Sequence, residues 1–356
     1  MNRAPILFRV DGTSRTGWEH LTRCLIFGAA LQRRRRPTYF LSQLEPRSLG
    51  LNIKRAGNNW LEADGLAGTP DDLEETIQEI RRLQPAAVIV DAPETSEAYL
   101  KEIAATGVLV ASIDSQAQVR FPSHMVINPL LAPRKESYEY QPGTQLLLGQ
   151  RFTFIRPEVR RLRPVRAQEP PLPFRAMVAL GEDDPHGLAA EYAKLLLNVP
   201  KVEKVDLVVR SWHPQLEELQ QLVERCPDRL ELAVEPNEVA ARIPRCHFAL
   251  TAGTGWSQEL ACVGLPQLMI LQHEIYWPNA QRLEEEGAAL CLGWHENVSA
   301  QTLRQAVVNL LSDPAERQAM SRCGRKLIDG RGPDRLVTAL EIMLHPSRML
   351  DMHEAA

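Results

Sequence analysis

Two nearly uninterrupted apolar runs constrain the fold of this chain most. They end at Asp91 (Ala-Ala-Val-Ile-Val-Asp) and at Asp114 (Gly-Val-Leu-Val-Ala-Ser-Ile-Asp). Such runs are typical of parallel strands that are covered on both faces. Helical patterns over residues 70–83 and 95–105 adjoin them, so the first half is predicted to be a doubly wound parallel sheet. The other elements predicted in this half are strands at 5–10 and 38–41 and a helix at 18–34.

The same alternation restarts after a proline- and arginine-rich segment. Residues 157–173 lack an apolar period and are interpreted as a linker. Five strand candidates follow, at residues 174–180, 204–210, 230–234, 248–252 and 267–271. We therefore predict an α/β chain with two Rossmann-like doubly wound domains facing across a cleft. The predicted bounds are 1–156 and 174–335 for the domains and 336–356 for a C-terminal helix and tail.

Composition narrows the class of partner. A chain of 356 residues exceeds the usual size of one compact core, in agreement with two domains. Its 41 basic and 45 acidic residues leave a net charge of -4. That balance gives no electrostatic reason to expect nucleic acid or an anionic membrane as partner. We expect a small molecule instead.

The sequence also bears on compartment. No apolar run approaches the roughly 20 residues that span a bilayer, and the N-terminus enters a strand without a signal-peptide pattern. We therefore expect a cytoplasmic protein. The six cysteines are scattered without a C-x-x-C pair and are expected to be free thiols. The sequence leaves the oligomeric state open.

The segment from Asp11 to Cys24 is the first candidate site. Asp11 ends a predicted strand, Gly12 and Gly17 allow the loop to approach a ligand, and His20 lies in the first turn of the next helix. Ligands of open α/β sheets collect at this edge, and a histidine exchanges protons near neutral pH. A local packing or capping role for His20 is given equal weight at this point.

A second candidate segment opens the second half. Gly181 follows a strand, which suits a phosphate approaching a helix N-terminus. Glu182, Asp183 and Asp184 would repel such an anion, and either aspartate also fits the role of a helix cap.

A third segment has the composition of an anion site. Gly253, Thr254 and Gly255 offer backbone N–H groups and a hydroxyl at a predicted helix N-terminus. Glu259, about one turn later, could accept hydrogen bonds from a ribose diol or simply favour the helix dipole. Two further candidates lie in a polar loop beyond the next strand: Asn279 and Gln281.

The order of these motifs resembles a known family. The order Ala-Gly…Ser-x-x-Glu…Gly-Leu-Pro…Asn-Ala-Gln…Gly-Ala-Ala resembles the nucleotide-binding half of GT-B glycosyltransferases such as the murein lipid-II N-acetylglucosaminyltransferase. Phe-Arg-Val-Asp-Gly…Gly-Trp-Glu-His-Leu-Thr-Arg-Cys-Leu resembles the opening of the UDP-sugar hydrolases of pseudaminic acid biosynthesis and the related spore-coat polysaccharide proteins. The resemblance extends to Asp-Gly-Arg-Gly-Pro-Asp-Arg335 and so covers nearly the whole chain.

The resemblance implies a GT-B fold and a UDP-sugar as partner, with no metal and no other cofactor. His20 aligns with the family's catalytic histidine, which deprotonates the attacking water. Asp11 would orient His20 or contact the sugar. The nucleotide would be bound by residues of the second half: Gly181, Gly253, Thr254, Gly255, Glu259, Asn279 and Gln281. The sugar would be bound by residues near His20: Gly17, Glu19 and Arg23.

Two acidic residues depart from the family pattern. Glu19 stands where the family has a glycine, and Glu182 adds a negative charge that is expected to face the anionic ligand. Three interpretations remain open. The first is a nucleotide-sugar hydrolase, favoured by His20 and by Arg23-Cys24 in register. The second is a GT-B glycosyltransferase with a UDP-sugar donor, and the third is an inactive sugar-nucleotide binder, which the two added acids would suit.

Overall fold

The computed structural model describes residues 3–182, 184–234 and 236–345. They divide into two compact units. The first unit comprises the chain up to Pro129, Pro133–Phe154 and the segment from Arg331 onward, whereas the second comprises Leu130–Ala132 and Ile155–Gly330. Asp183 and the C-terminal tail from residue 346 lie outside the described residues.

The strands and helices of the first unit alternate up to the strand that ends at Ile113. Four strands then follow without an α-helix between them, and the last helix comes from the end of the chain. In chain order they are β1 (Ile6–Val10), α1 (Glu19–Arg33), β2 (Thr38–Ser42), α2 (Leu49–Arg55), β3 (Asn59–Glu62), α3 (Pro70–Leu83), β4 (Ala87–Asp91), α4 (Glu97–Ala105), β5 (Leu109–Ile113), β6 (Arg120–Phe121), β7 (Met125–Asn128), β8 (Glu139–Tyr140) and β9 (Gln145–Leu148).

The second unit repeats this alternation. Its elements are α5 (Pro157–Arg160), β10 (Phe174–Ala179), α6 (Ala189–Leu197), β11 (Val202–Val208), α7 (Leu216–Arg225), β12 (Leu230–Ala233), α8 (Pro236–Arg242), β13 (Phe248–Thr251), α9 (Gly255–Val263), β14 (Gln267–Leu271), α10 (Trp277–Glu285), β15 (Leu290–Trp294), α11 (Ala300–Ser312) and α12 (Pro314–Leu327). The chain then returns to the first unit as α13 (Gly332–Leu344).

The first unit contains a seven-stranded sheet in the order β3-β2-β1-β4-β5-β7-β9, with every pair of neighbours parallel. The apolar runs that end at Asp91 and Asp114 are its central strands β4 and β5, buried on both faces as predicted. Because β1 lies beside β4 with Val10 opposite Asp91, the loop after β1 emerges next to the carboxyl end of β4.

Ion pairs tie α13 to α1 and to the segment that follows it. Arg36 is buried and donates two hydrogen bonds to Glu341, from Nε at 2.6 Å and from Nη2 at 3.0 Å. Arg33, at the end of α1, pairs with Asp334 at 2.9 Å. The last helix is thereby held against the helix that carries His20.

The second unit contains a six-stranded parallel sheet in the order β12-β11-β10-β13-β14-β15. Residues 157–173, predicted as a linker, lie in this unit and are packed on it. Val159 is buried there, Arg163 donates to the backbone oxygens of Cys262 and Ile328, and Arg166 donates to that of Cys246. The arginine side chains attach this segment to the unit by donating hydrogen bonds to backbone carbonyls. Such contacts require no periodic apolar face, so the sequence shows none.

The structure also bears on membrane-spanning helices and on the state of the cysteines. Within the described ranges no helix combines the length and the apolar character that crossing a membrane requires. All six cysteines are free thiols, and Cys24, Cys246 and Cys262 are buried.

The contact between α9 and α12 predicts a stability effect. A Cβ on Gly324 would lie 2.7 Å from the backbone oxygen of Ala261. We therefore expect Gly324→Ala to lower the free energy of unfolding by about 1–3 kcal/mol, because two helix backbones would have to move apart. Chemical denaturation measures this. Gln318→Ala, an exposed substitution in the same helix, is the control and should change stability by no more than about 0.5 kcal/mol; equal effects of the two substitutions would contradict the prediction.

Candidate functional site

The carboxylate of Asp91 is the centre of the candidate site in the first unit. It is fully buried at the end of β4. His20 Nδ1 lies 2.7 Å from its Oδ1, and Arg23 donates to Oδ2 from Nε at 2.6 Å and to Oδ1 from Nη2 at 2.5 Å. The thiol of Cys24 lies 3.4 Å from Oδ2. One carboxylate therefore holds three side chains of α1.

The spacing along α1 explains why these side chains meet. His20, Arg23 and Cys24 are separated by three and four residues, so they share one face of the helix. That face is directed at the carboxyl end of β4, the strand next to β1. Glu19 opens the helix, where a carboxylate is favourable to the helix dipole, and is half-buried beside His20.

The charges around Asp91 keep it ionised. Burial by itself raises the pKa of Asp91, but the charges of Arg23 and His20 and their hydrogen bonds outweigh burial and hold that pKa well below its usual range. Burial and the neighbouring carboxylate raise the pKa of the Cys24 thiol, so that it stays a hydrogen-bond donor.

An ionised Asp91 determines the tautomer of His20. A carboxylate only accepts hydrogen bonds, so we assign the imidazole proton to Nδ1. The lone pair is then on Nε2, for which the described part of the chain provides no hydrogen-bond partner. The His20 side chain as a whole is 20% exposed. The arrangement is that of a general base oriented by a buried acid.

The role expected for Asp11 as the partner of His20 has to be corrected. Asp11 is buried in an ion pair with Arg9, a fully buried guanidinium that also pairs with Asp72. Its Oδ1 accepts a further hydrogen bond from the backbone N–H of Gln43 at 2.8 Å. A buried arginine needs these counter-charges, and Asp91 orients His20 instead.

The loops around His20 bring together other predicted residues. Gly17 has φ +79°, a conformation that favours glycine, and its N–H donates to Thr13. Arg23 reaches from Asp91 to the hydroxyl of Ser115, 3.4 Å away, in the loop after β5. Gly17, Glu19 and Arg23 thus lie around the start of α1, where substrate binding is predicted for them.

In the second unit the loops after β10, β13 and β14 converge. A Cβ on Gly181 would lie 3.0 Å from the methyl group of Thr254. Gly253, with φ +77°, accepts a hydrogen bond from Asn279 Nδ2 at 2.9 Å. The carboxyl ends of neighbouring parallel strands meet at one edge of the sheet, which is why residues far apart in sequence become neighbours here.

Two buried hydroxyls mark the start of α9. Thr254 is its N-cap residue and Ser257 lies in its first turn; both are buried. Within the described ranges neither Oγ has a hydrogen-bond partner. Buried hydroxyls usually have a partner, so these two, beside the positive end of a helix dipole, could donate hydrogen bonds to oxygen acceptors of a ligand.

Asn279 and Gln281 have different surroundings. Asn279 is buried, and its Oδ1 accepts from the backbone N–H of Leu131 at 2.8 Å while its Nδ2 holds Gly253. Gln281 is exposed and donates to Glu285 on the same helix. The structure therefore brings Asn279 to the Gly253 loop as a supporting residue, and it leaves Gln281 outside this group of contacts.

Glu259 is engaged by an arginine that the sequence did not identify as a site residue. Arg156 donates to Glu259 Oε1 from its backbone N–H at 2.8 Å and to both carboxylate oxygens from Nε at 2.9 Å. Both side chains are buried. The charge of Glu259 is therefore balanced, and its remaining lone pairs are what a ribose could use.

Glu182 does not present an uncompensated charge, contrary to expectation. It forms a buried ion pair with Arg210, and it accepts a hydrogen bond from Trp256 Nε1 at 2.8 Å. The guanidinium groups of Arg156 and Arg210 each lie 4.9 Å from the centroid of a Trp256 ring. Two cations therefore pack on one indole, which stabilises the start of α9.

Asp184 acts as a cap. Its carboxylate accepts from the backbone N–H groups of Leu188 and Ala189 at the start of α6. Burial raises the pKa of Asp184, but His213, these N–H groups and Gln272 together hold it below its usual value. Of the two aspartates predicted as caps, Asp183 lies outside the described residues.

Asp91 is the main residue of the candidate site that the sequence-based prediction does not include. A signal was present, because Asp91 ends the apolar run of a central strand, where a carboxylate is unexpected unless it has a partner. Arg156 and Arg210 carried no such signal, since nothing local distinguishes them from the other arginines of their segments.

Comparison with known proteins bears on the fold and on distant relatives of the chain. No family model matches the chain. It is 26% identical over 221 residues to the spore coat polysaccharide biosynthesis protein SpsG of Bacillus subtilis (strain 168), covering 62% of this chain and 65% of that protein. It is 28% identical over 177 residues to aclacinomycin-T 2-deoxy-L-fucose transferase of Streptomyces galilaeus, covering 49% of this chain and 39% of the transferase. The chain thus spans less than two thirds of either relative.

Solved structures show the fold. The chain matches Acinetobacter baumannii MurG with a TM-score of 0.64 at 14% identity, covering 95% of this chain and 99% of MurG. It matches the spinosyn rhamnosyltransferase SpnG, complexed with thymidine diphosphate, with a TM-score of 0.64 at 16% identity, covering 95% of this chain and 100% of SpnG. The GT-B fold and the similarity to a spore-coat polysaccharide protein are thereby confirmed.

The buried pair at Asp91 predicts a pH-dependent loss of stability. The folded pKa of Asp91 is lowered, so its contribution is complete above the unfolded carboxyl pKa of about 4 and is lost as the pH falls below it. We expect Asp91→Asn to destabilise the protein by about 3–5 kcal/mol at pH 7, because Arg23 is left unpaired, and by less at pH 3.

Denaturant unfolding of the wild type and of Asp91→Asn at pH 7 and pH 3 measures this change in stability. The exposed substitution Asp64→Asn is the control. A difference between wild type and Asp91→Asn that is the same at pH 7 and pH 3 would show that Asp91 does not titrate as described.

Proposed function

We propose that this chain is a GT-B glycosyltransferase that takes a sugar from a nucleoside diphosphate donor, with His20 as the general base. The observation that carries the proposal is the hydrogen bond from His20 Nδ1 to the ionised carboxylate of Asp91, which leaves Nε2 as a base. The similarity to a curated sugar transferase supports transfer over the hydrolase interpretation.

The chemistry assigned to His20 is proton transfer. As the acceptor hydroxyl attacks the anomeric carbon, its proton passes to Nε2. The new oxygen–carbon bond forms while the bond from that carbon to the phosphate oxygen breaks, and the electron pair leaves with the nucleoside diphosphate. The resulting imidazolium lies against Asp91, whose charge stabilises it.

The second unit is assigned to the donor. The start of α9, with Gly253, Thr254 and Gly255, would bind the diphosphate through N–H groups, hydroxyls and the helix dipole. Because Gly181 has no side chain, the loop after β10 can lie close to Thr254. UDP is the nucleotide expected from the sequence resemblance, and the thymidine diphosphate complex of SpnG makes TDP the natural alternative to test.

Other predicted residues receive narrower roles in this proposal. Glu259 would accept hydrogen bonds from the ribose hydroxyls while it stays paired with Arg156. Asn279 would position the Gly253 loop. Gly17, Glu19 and Arg23 would line the sugar side next to His20, and Gln281 is left without a structural argument. No step in this scheme uses a metal or another cofactor.

Hydrolysis is the second candidate. It is favoured by one observation, the sequence register of His20, Arg23 and Cys24 with the UDP-sugar hydrolases. The same base would then deprotonate water. The inactive-binder interpretation loses one of its two arguments, because the charge of Glu182 is balanced by Arg210.

One assay distinguishes these activities. The protein is incubated with a panel of UDP- and TDP-sugars, with and without a panel of hydroxyl acceptors, and both the nucleoside diphosphate and the free sugar are quantified. Release that depends on an acceptor supports transfer. Free sugar equal to released nucleotide without an acceptor supports hydrolysis, and no release from any donor contradicts both.

We expect His20→Ala to lower kcat by about 10²- to 10⁴-fold, the usual contribution of a general base. The affinity for the nucleoside diphosphate, measured by calorimetry, should stay unchanged, because His20 is assigned to the hydroxyl and not to the nucleotide. His345→Ala, which removes a histidine outside the site, is the matched control. Full activity in His20→Ala would remove His20 from the mechanism.

We expect Thr254→Val to weaken nucleoside diphosphate binding by about 1–3 kcal/mol, the cost of losing a hydrogen bond to a charged group. This corresponds to a roughly 5- to 150-fold increase in Kd. Valine keeps the shape and removes the unpaired hydroxyl. Thr338→Val, at an exposed threonine of α13, is the control. Unchanged affinity in calorimetry would contradict the placement of the diphosphate at α9.

A further inference from the structure

A basic pocket lies on the surface of the second unit, apart from the loops assigned to the nucleotide. It is a pocket of about 450 Å³ between the segment that follows α5 and the end of α12. Its lining residues are Arg163, Pro164, Ala167, Arg322, Arg325 and Lys326. The arginine-rich segment that the sequence presents as a linker therefore forms one wall of a pocket.

The positive charge of this pocket is not balanced locally. Four of the six lining residues are cationic and none is acidic. Across the part of the chain that the structure describes, Arg163, Arg322, Arg325 and Lys326 form no ion pair. The net charge of -4 for the whole chain conceals this concentration of positive charge.

Helix capping accounts for only one of these cations. Basic residues near a helix C-terminus are commonly explained by the carbonyls and the dipole. Here Arg163 takes that role, since it donates to the backbone oxygens of Cys262, Ile328 and Arg325 at 2.6, 2.5 and 2.9 Å. Arg322 and Lys326 are exposed, and within the described ranges neither side chain forms a hydrogen bond or an ion pair.

Arg166 is a further cation, adjacent in sequence to a residue of this pocket. Arg166 precedes the pocket residue Ala167 and is buried, with a hydrogen bond from Nη1 to the backbone oxygen of Cys246 at 2.9 Å. Its Nε has no partner within the described residues. Burial lowers the pKa of Arg166; Cys246 and the charge of Glu169 act in the opposite direction, and the charge of Arg325 lowers the pKa further. An anion held at this pocket would relieve that repulsion.

We infer that this pocket binds a phosphate-bearing anion. Guanidinium and ammonium groups recognise phosphate oxygens through charge-assisted hydrogen bonds, and four cations without an acidic partner exceed what a single carboxylate would need. The phosphate has two possible sources, a soluble polyphosphate or the headgroup of an anionic lipid. The inference does not depend on glycosyl transfer.

The test compares two double variants. Arg322→Ala/Lys326→Ala removes two exposed cations of the pocket, whereas Arg225→Ala/Arg304→Ala removes two exposed arginines from α7 and α11 of the same unit. Calorimetry with pyrophosphate should show at least about tenfold weaker binding for the pocket variant than for the control, as expected for the loss of charge-assisted contacts. Any binding of pyrophosphate at α9 is common to both and cancels in the comparison.

A second arm identifies the source of the phosphate. Co-sedimentation with phosphatidylglycerol vesicles, against phosphatidylcholine vesicles, should be lost in the pocket variant alone if the ligand is a lipid headgroup. Loss of pyrophosphate binding without vesicle binding assigns the site to a soluble anion. Equal behaviour of the two double variants in both assays overturns the inference. Nucleoside diphosphate release should be the same in both variants, so this outcome is separate from the test of glycosyl transfer.

Discussion

The candidate active site depends on the hydrogen bonds and ion pairs that the buried carboxylate of Asp91 forms with α1. A charge at the end of a central strand is costly unless it is paired, and three side chains of α1 supply the partners. That requirement fixes the position of the helix start relative to β4. It also determines the proton position on His20, so a constraint on stability and a condition for base catalysis come from the same contact.

The second unit shows the same principle with different residues. Glu182 and Glu259 look in the sequence like charges directed at a ligand, yet each is paired with a buried arginine. The two arginines pack on Trp256 at the start of α9. The electrostatics at the start of α9 are consequently those of the helix N-terminus and two buried hydroxyls, not those of the acids.

The elements that sequence reasoning predicts best are those with a clear capping residue or a continuous apolar run. The helix at residues 70–83 and the strand at 267–271 have the predicted bounds, because a capping residue or an uninterrupted apolar run marks them. The short edge strands β3, β9 and β15 were missed, since their residues are partly exposed and show no marked apolar pattern. The arginine-rich segment was interpreted as a linker because carbonyl capping leaves no periodic signal.

Local sequence is enough to predict the alternation of strands and helices, the repetition of that alternation in two halves and His20 as a candidate site residue. These features rest on local periodicity and on short motifs, which are properties of neighbouring residues. Which acid contacts His20, which charges are compensated and where Gln281 and the arginines lie become visible only in the folded chain. Those outcomes depend on strand order and on burial, which bring together residues such as His20 and Asp91 that are 71 positions apart in the chain.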